Sequence, residues 1–166
     1  MKNKFKKIGL SLIAIIAVLI IGFFIYVSIY YHADEIAKTY YNEDQSIISD
    51  DFGYLLPSSS DTALIFYPGA KVEAISYLPL LEMVREELNI TIFLVEMPFN
   101  LAIFNEAAAS DIIVDNPEIH HWIMAGHSMG GAMASSFASK NTEQIEALIL
   151  LGAYIYGDYP EEKTLT

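Results

Sequence analysis

The chain has 166 residues, a formal net charge of −12 and no cysteine. This length suits one domain of ordinary size, and the acidic surface argues against nucleic-acid binding, because it repels phosphates. The lack of cysteine excludes disulfides, thiolate metal sites and a cysteine nucleophile.

The N-terminal segment predicts a membrane helix. Four lysines among residues 2–7 precede an uncharged apolar run over residues 8–31, and a run of this length can cross a bilayer as a helix. A cleaved signal peptide is the alternative, but its apolar region is shorter and ends at a site of small residues. This run ends in two tyrosines and a histidine. Residues 1–31 are therefore predicted to be an uncleaved anchor.

The charges on either side of the run predict its orientation. The lysines precede it, whereas Asp34 and Glu35 follow it, and the flank that stays in the cytoplasm is the positively charged one. We expect a single-pass protein of the cell membrane, with a cytoplasmic N-terminus and an extracellular domain. The membrane is thus a predicted partner, bound through the N-terminal helix.

A polar segment separates the anchor from the more regular sequence. Residues 32 to about 47 are polar and rich in tyrosine, and they predict a stalk or a short helix that leads away from the membrane. A short strand is expected over residues 52–56, because Pro57 and three serines close it with a turn. The predicted division is therefore an anchor at 1–31, a linker at 32–51 and a partial globular domain at 52–166.

Beyond this point, short apolar runs alternate with helical patterns. Strands are predicted at 63–67, 91–95, 121–125 and 147–151, and helices at 75–88, 101–114 and 129–140. Strands that are apolar throughout and alternate with helices form a parallel sheet covered on both faces. Ligands of such sheets bind at the carboxyl ends of the strands, so we expect the functional site there.

The strand at 121–125 leads into the strongest chemical signal of the chain. Gly126-His127-Ser128-Met129-Gly130 fits the pattern G-x-S-x-G between a strand and a helix, which is the context of a nucleophile elbow. The serine of such an elbow lies on a strained turn, and the elbow glycines, Gly126 and Gly130, prevent collisions with neighbouring backbone. A simple glycine-rich turn with a buried serine is the alternative, but it has no need of the whole pattern.

These residues resemble the elbow of α/β-hydrolases, particularly of esterase-like and lipase-like members. The segment Phe66-Tyr67-Pro68-Gly69-Ala70-Lys71 lies where that family carries a His-Gly oxyanion loop, with proline in place of the histidine. This variant is similar to bacterial membrane-anchored proteins of the dienelactone-hydrolase-like branch. The resemblance covers about residues 52–156 and implies an α/β-hydrolase fold, a mostly parallel sheet covered by helices, after one transmembrane helix.

The resemblance also implies roles for Ser128 and for two backbone groups. Ser128 would be the catalytic nucleophile. The N–H of Met129 and that of Ala70, or alternatively Lys71, would form the oxyanion hole. An ordinary turn at the end of a strand is the alternative interpretation of residues 68–69. No motif indicates a metal or an organic cofactor, and we expect neither.

The acid and the histidine of a triad are expected to be missing. The family places both after the nucleophile. All the histidines precede Ser128, namely His32, His120, His121 and His127. The side chain of His127 is expected to point away from Ser128, and the two histidines before it to lie at the far end of the strand. We expect the chain to end in the loop after residues 147–151, to lack the last strands of the fold and to be inactive by itself.

Two functions fit this sequence. The first is a serine hydrolase that acts on a small-molecule ester or a similar acyl bond at the outer face of a membrane. The second is a non-catalytic, membrane-tethered binding module with the same fold. The complete elbow favours the first function, and the missing histidine favours the second for this chain. A structural anchor without a ligand ranks third, because a strained elbow would then serve no purpose.

Overall fold

The computed structural model describes residues 2–44 and 46–166, and the chain divides into two compact units, Met1–Tyr30 and Tyr31–Thr166. The first unit consists of one long helix, α1 (Lys2–Ser28). Its segment from Lys6 to Ser28 has 23 residues and is long and apolar enough to cross a membrane, although a signal sequence has the same properties. The apolar N-terminal helix that the sequence predicts is therefore present.

The second unit is built on a sheet that has seven strands among the described residues. The strands are β1 (Ile48–Asp50), β2 (Gly53–Leu56), β3 (Thr62–Tyr67), β4 (Thr91–Val95), β5 (His121–His127), β6 (Ile145–Leu151) and β7 (Thr164–Leu165). Their order across the sheet is β1-β2-β4-β3-β5-β6-β7. The neighbouring strands from β4 to β7 in this order pair in parallel. Strand β2 pairs with β4 in the antiparallel direction, and β1 pairs with the other side of β2, also antiparallel.

Helices cover both faces of this sheet. They are α2 (Glu35–Glu43), α3 (Leu78–Leu88), α4 (Ala108–Asp115) and α5 (Met129–Lys140). Four single turns of 3₁₀-helix lie between the longer elements, at Ala74–Tyr77, Pro98–Asn100, Ala102–Phe104 and Glu161–Lys163. Helices α2 and α3 contribute to the core on one face, and α4 and α5 to the core on the other.

Strand β3 shows why an uninterrupted apolar run forms the centre of the sheet. Successive side chains of a strand point to opposite faces. Leu64 and Phe66 accordingly belong to the core with α2 and α3, whereas Ile65 and Tyr67 belong to the core with α4 and α5. A central strand must therefore be apolar at every position, which is the pattern of parallel sheets with two covered faces.

The segment between α1 and the sheet is itself part of the second unit. Helix α2 begins at Asp34, whose carboxylate accepts a hydrogen bond of 2.9 Å from the Ala37 N–H. Ala37 is 2% exposed and lies in the core that α3 also lines. The Arg85 side chain of α3 pairs with Glu82 and donates to the Pro57 carbonyl at 3.1 Å. The predicted short helix thus leads directly into the packed unit.

The sequence misjudged two regions. The predicted helix at 101–114 is divided, because Asn105 adopts φ −150° and ψ 56°, which ends the turn at Ala102–Phe104 before α4 begins. The chain was expected to end in a loop after β6, whereas Thr164 and Leu165 form β7 and pair with β6 in parallel. A strand of two residues is too short to show a hydrophobic period.

Candidate active site

Ser128 joins strand β5 to helix α5 in a strained backbone conformation. Its φ of 51° and ψ of −121° lie in a region that residues with a side chain rarely adopt. Two hydrogen bonds hold this conformation: the Ser128 N–H donates to the Leu151 carbonyl at 3.0 Å, and the Ser128 carbonyl accepts from the Ala132 N–H at 3.1 Å. The serine is exposed to solvent at the carboxyl end of the sheet.

The glycines around Ser128 let three backbone segments approach one another closely. A Cβ at Gly130 would overlap with the carbonyl oxygens of Tyr67 and Pro68. A Cβ at Gly126 would lie 2.6 Å from the Gly130 carbonyl carbon, and one at Gly131 would lie 2.5 Å from the Ala153 Cβ. The start of α5 is therefore packed directly against the ends of neighbouring strands, without space for side chains.

Backbone N–H groups collect beside Ser128. Helix α5 begins at Met129, and the N–H groups of the first turn of a helix have no acceptor within the helix. They also carry the positive end of the helix dipole, which favours an anion nearby. The Met129 N–H is therefore oriented and free of helical bonding at the residue that follows the serine.

The loop after β3 contributes one further N–H. The Gly69 N–H donates to the Tyr77 hydroxyl at 3.0 Å, and the Lys71 N–H donates to the Asn100 carbonyl at 2.7 Å. Between them, the Ala70 N–H makes no hydrogen bond to any of the described residues. Of the two residues that the sequence left open, Ala70 thus has an N–H without an acceptor among the described residues, whereas the N–H of Lys71 is bonded to Asn100.

His127 contacts the loop and not the Ser128 hydroxyl. Its Nδ1 lies 2.9 Å from the Tyr77 hydroxyl oxygen, and a Cβ at Gly69 would lie 2.5 Å from the same Nδ1. The pKa of Tyr77 is raised above its usual value of 10.0 by burial, so this hydroxyl keeps its proton at neutral pH. No sequence pattern indicates Tyr77 or Asn100, because both meet the loop only through tertiary contacts.

None of the other histidines contacts the Ser128 hydroxyl among the described residues. His121 is at the first position of β5, roughly 20 Å from Ser128 along the strand. Its Nδ1 lies 2.7 Å from a carboxylate oxygen of Glu146, which raises the pKa of the imidazole. The His32 Nδ1 lies 3.6 Å from a Glu73 oxygen. In the parts of the chain that the structure describes, the Ser128 hydroxyl has no hydrogen-bond partner.

A cavity of about 510 Å³ lies elsewhere, between the β2–β4 edge of the sheet and α4. Its walls combine apolar residues such as Phe52 and Phe93 with the carboxylates of Glu96 and Asp111. Among the residues described, no cluster of histidine, aspartate and glutamate has the arrangement of a metal site. The elbow itself is open to solvent, because Ser128 is exposed.

Comparisons with known proteins agree with this architecture. A model of the family described as "Alpha/beta hydrolase family" matches residues 63–165. The chain belongs to the α/β-hydrolase family. The resemblance to this family and the predicted α/β-hydrolase fold are thereby confirmed. The structure of this α/β-hydrolase chain includes the mostly parallel sheet, its covering helices and the apolar N-terminal helix. A search of curated proteins finds no match.

Solved structures resemble the fold of this α/β-hydrolase chain. A hormone-sensitive lipase from a metagenome library has a TM-score of 0.52 and 14% identity, with 72% of this chain and 51% of the lipase covered. Carboxyl esterase 2 from the mycorrhizal fungus Tuber melanosporum has a TM-score of 0.54 and 14% identity, with 75% and 49% covered. The chain therefore spans about half the length of these structures, and at this identity the likeness concerns the fold alone.

Proposed function

We propose that this chain carries the nucleophile and the oxyanion hole of a serine hydrolase that acts on a small-molecule ester or a similar acyl bond. Ser128 is the proposed nucleophile. The observation that carries the proposal is its backbone conformation, with φ 51° and ψ −121°. Such strain costs on the order of 1–3 kcal/mol and persists only where the surrounding structure enforces it, most often at functional sites.

The proposed oxyanion hole consists of the Met129 and Ala70 N–H groups. Attack on an acyl carbon places negative charge on the carbonyl oxygen, and donors that are already oriented stabilise this charge without reorganisation. Two observations support this pair: Met129 begins α5, and the flanking N–H groups of Gly69 and Lys71 already have acceptors. Loss of one such donor typically lowers the rate by about 10²–10³.

We propose that the general base and the acid that a serine nucleophile needs are not among the described residues. Within the described ranges, His127 is hydrogen-bonded to Tyr77 and His121 to Glu146. The lipase and the esterase of similar fold are about twice as long as the parts that match this chain. They agree with an ester substrate for the whole protein, and the chain would supply its nucleophilic half.

A non-catalytic binding module is the second candidate function. The observation that favours it is the Ser128 hydroxyl, which contacts no histidine among the residues described. Covalent labelling distinguishes the two functions. Imidazole supplied in the buffer can act as an external base, and a fluorophosphonate probe should then modify Ser128 under the first proposal. A binding module without an oxyanion hole should take up no label at this residue, as read by mass spectrometry of peptides.

The chain of 166 residues is expected to hydrolyse a chromogenic acetate ester at a rate near the uncatalysed background. The reason is that a serine hydroxyl without a general base is a weak nucleophile at neutral pH. The measurement is the initial rate, compared with buffer and with the heat-denatured chain. A monomeric chain with full esterase activity would contradict this expectation and direct the search for a base to His120, His121 and His127.

We further propose that α1 is an uncleaved anchor with a cytoplasmic N-terminus and that the second unit lies outside the cell. The support is the charge difference between the lysines at 2–7 and the acidic residues after the helix. Protease added to intact cells or spheroplasts should degrade the second unit and leave a cytoplasmic marker protein intact. Protection of the second unit until the membrane is broken would reverse the orientation, and a mature chain without residues 1–31 would indicate a cleaved signal.

A further inference from the structure

The Tyr77 side chain connects the loop after β3 to the elbow after β5. Its hydroxyl accepts a hydrogen bond of 3.0 Å from the Gly69 N–H and lies 2.9 Å from the His127 Nδ1. Its ring packs on Phe66 with 4.8 Å between the ring centroids. One half-buried side chain thus links the loop at Gly69 to His127, which lies 50 residues after Tyr77 in the chain.

The contact between these segments leaves little freedom. A Cβ at Gly69 would lie 2.5 Å from the His127 Nδ1 and 3.0 Å from the Tyr77 hydroxyl oxygen. The hydroxyl uses one lone pair for Gly69 and can donate its own proton to a neutral imidazole that carries its proton on Nε2. Each polar group of the trio then has a partner, which stabilises a single arrangement of the loop.

The opposite side of the loop is held by a strained backbone segment. Lys71 has φ 59°, and Phe99 and Asn100 have φ 57° and 54°. In this conformation the Asn100 carbonyl accepts from the Lys71 N–H at 2.7 Å. The two neighbours of Ala70 are therefore bonded to different parts of the fold, one to Tyr77 and the other to Asn100.

We propose that Tyr77 and His127 are positioning residues that fix the loop after β3, so that the Ala70 N–H is the loop's donor to an oxyanion. An N–H that is already hydrogen-bonded is not available to a substrate. The bond from the Gly69 N–H to the Tyr77 hydroxyl, which we call the clamp, therefore leaves the Ala70 N–H as the donor to an oxyanion. The inference rests on the proposed function, because it assigns a part in the oxyanion hole. Tyr77 acts through Gly69 and does not contact the reacting atoms.

Substitution of Tyr77 by phenylalanine tests the clamp without removing the ring. In the full chain in detergent micelles, labelled with ¹⁵N, the Y77F variant should keep the fold. Its Gly69 amide should exchange with solvent at least about tenfold faster, because the amide has lost its acceptor. The Ala70 amide resonance should shift. Labelling of Ser128 by the fluorophosphonate in imidazole buffer should slow by about tenfold, which is a smaller effect than the loss of an oxyanion-hole donor itself.

Tyr159→Phe is the matched control. The Tyr159 hydroxyl donates to the Ile145 carbonyl at 2.8 Å at the opposite end of β6 from the elbow. This variant also loses one tyrosine hydrogen bond, but the resonances of Gly69 and Ala70 and the labelling rate should not change. Equal effects in the two variants would show a general loss of stability and would overturn the positioning role.

Two substitutions of His127 provide a second test. The side-chain amide of asparagine places a polar atom near the position of Nδ1, whereas that of glutamine reaches the position of Nε2. His127→Asn should therefore retain the amide signals and the labelling rate better than His127→Gln. The reverse order, or amides of Gly69 and Ala70 that do not respond to Y77F, would overturn the proposal.

The two proposals fail in different ways. A wild-type chain that takes up no label would contradict the proposed function. The amide signals of Gly69 and Ala70 would then test by themselves whether Tyr77 holds the loop. Amide signals that change in the Y77F variant, together with an unchanged labelling rate, would leave the nucleophile in place and overturn the positioning role of Tyr77.

Discussion

Ser128→Ala should abolish covalent labelling of the chain by a fluorophosphonate probe in imidazole buffer. In a form of the protein that includes a triad acid and histidine, the same substitution should lower ester hydrolysis by several orders of magnitude, and by about 10⁶ if the loss equals that of other triad nucleophiles. Alanine keeps the Cβ at φ 51°, so the change removes the hydroxyl and little else. Intact-mass and peptide mass spectrometry measure the label.

Two further substitutions separate the hydroxyl from the fold. Ser110→Ala removes an exposed helical serine on α4 and should leave labelling unchanged. Ser128→Gly should also abolish labelling, but it should stabilise the second unit by about 1–3 kcal/mol, because glycine adopts the strained conformation without penalty. Equal labelling of the wild type and the Ser128→Ala variant would place the nucleophile elsewhere and refute its assignment.

Gly130→Ala should destabilise the second unit by about 3 kcal/mol or more. In an exposed helix, alanine in place of glycine stabilises by about 1 kcal/mol, so helix propensity predicts the opposite sign. The added Cβ would overlap with the carbonyl oxygens of Tyr67 and Pro68. These atoms belong to the backbone of β3 and its loop, and they cannot move without separating the loop from the elbow. Thermal unfolding followed by circular dichroism measures the loss.

Gly152→Ala is the matched control for this substitution. Gly152 has φ 57°, but a Cβ there would come no closer than 3.9 Å to any atom, both nearest atoms belonging to His127. The substitution thus adds backbone strain without overlap and should cost only about 1 kcal/mol. A smaller loss for Gly130→Ala than for Gly152→Ala would show that α5 is not packed on β3 as described.

The parts that the sequence predicted well depend on neighbouring residues. The apolar run of α1 is recognised by its length, and β4 and α5 have the predicted bounds at Thr91–Val95 and Met129–Lys140. The pattern around Ser128 is also local, since a strand, a turn and a helix follow one another directly. Hydrophobic period and turn chemistry act over a few residues, so they can be read without a partner strand.

Tertiary structure alone decided which groups meet at the site. The sequence could not tell which N–H groups of the loop after β3 have acceptors, because the Asn100 carbonyl and the Tyr77 hydroxyl reach the loop from other elements. Strand order was equally hidden, because the parallel neighbours of β3 are β4 and β5. A hydrogen bond between distant residues leaves no period in the chain, and its geometry exists only once both strands and their helices are packed.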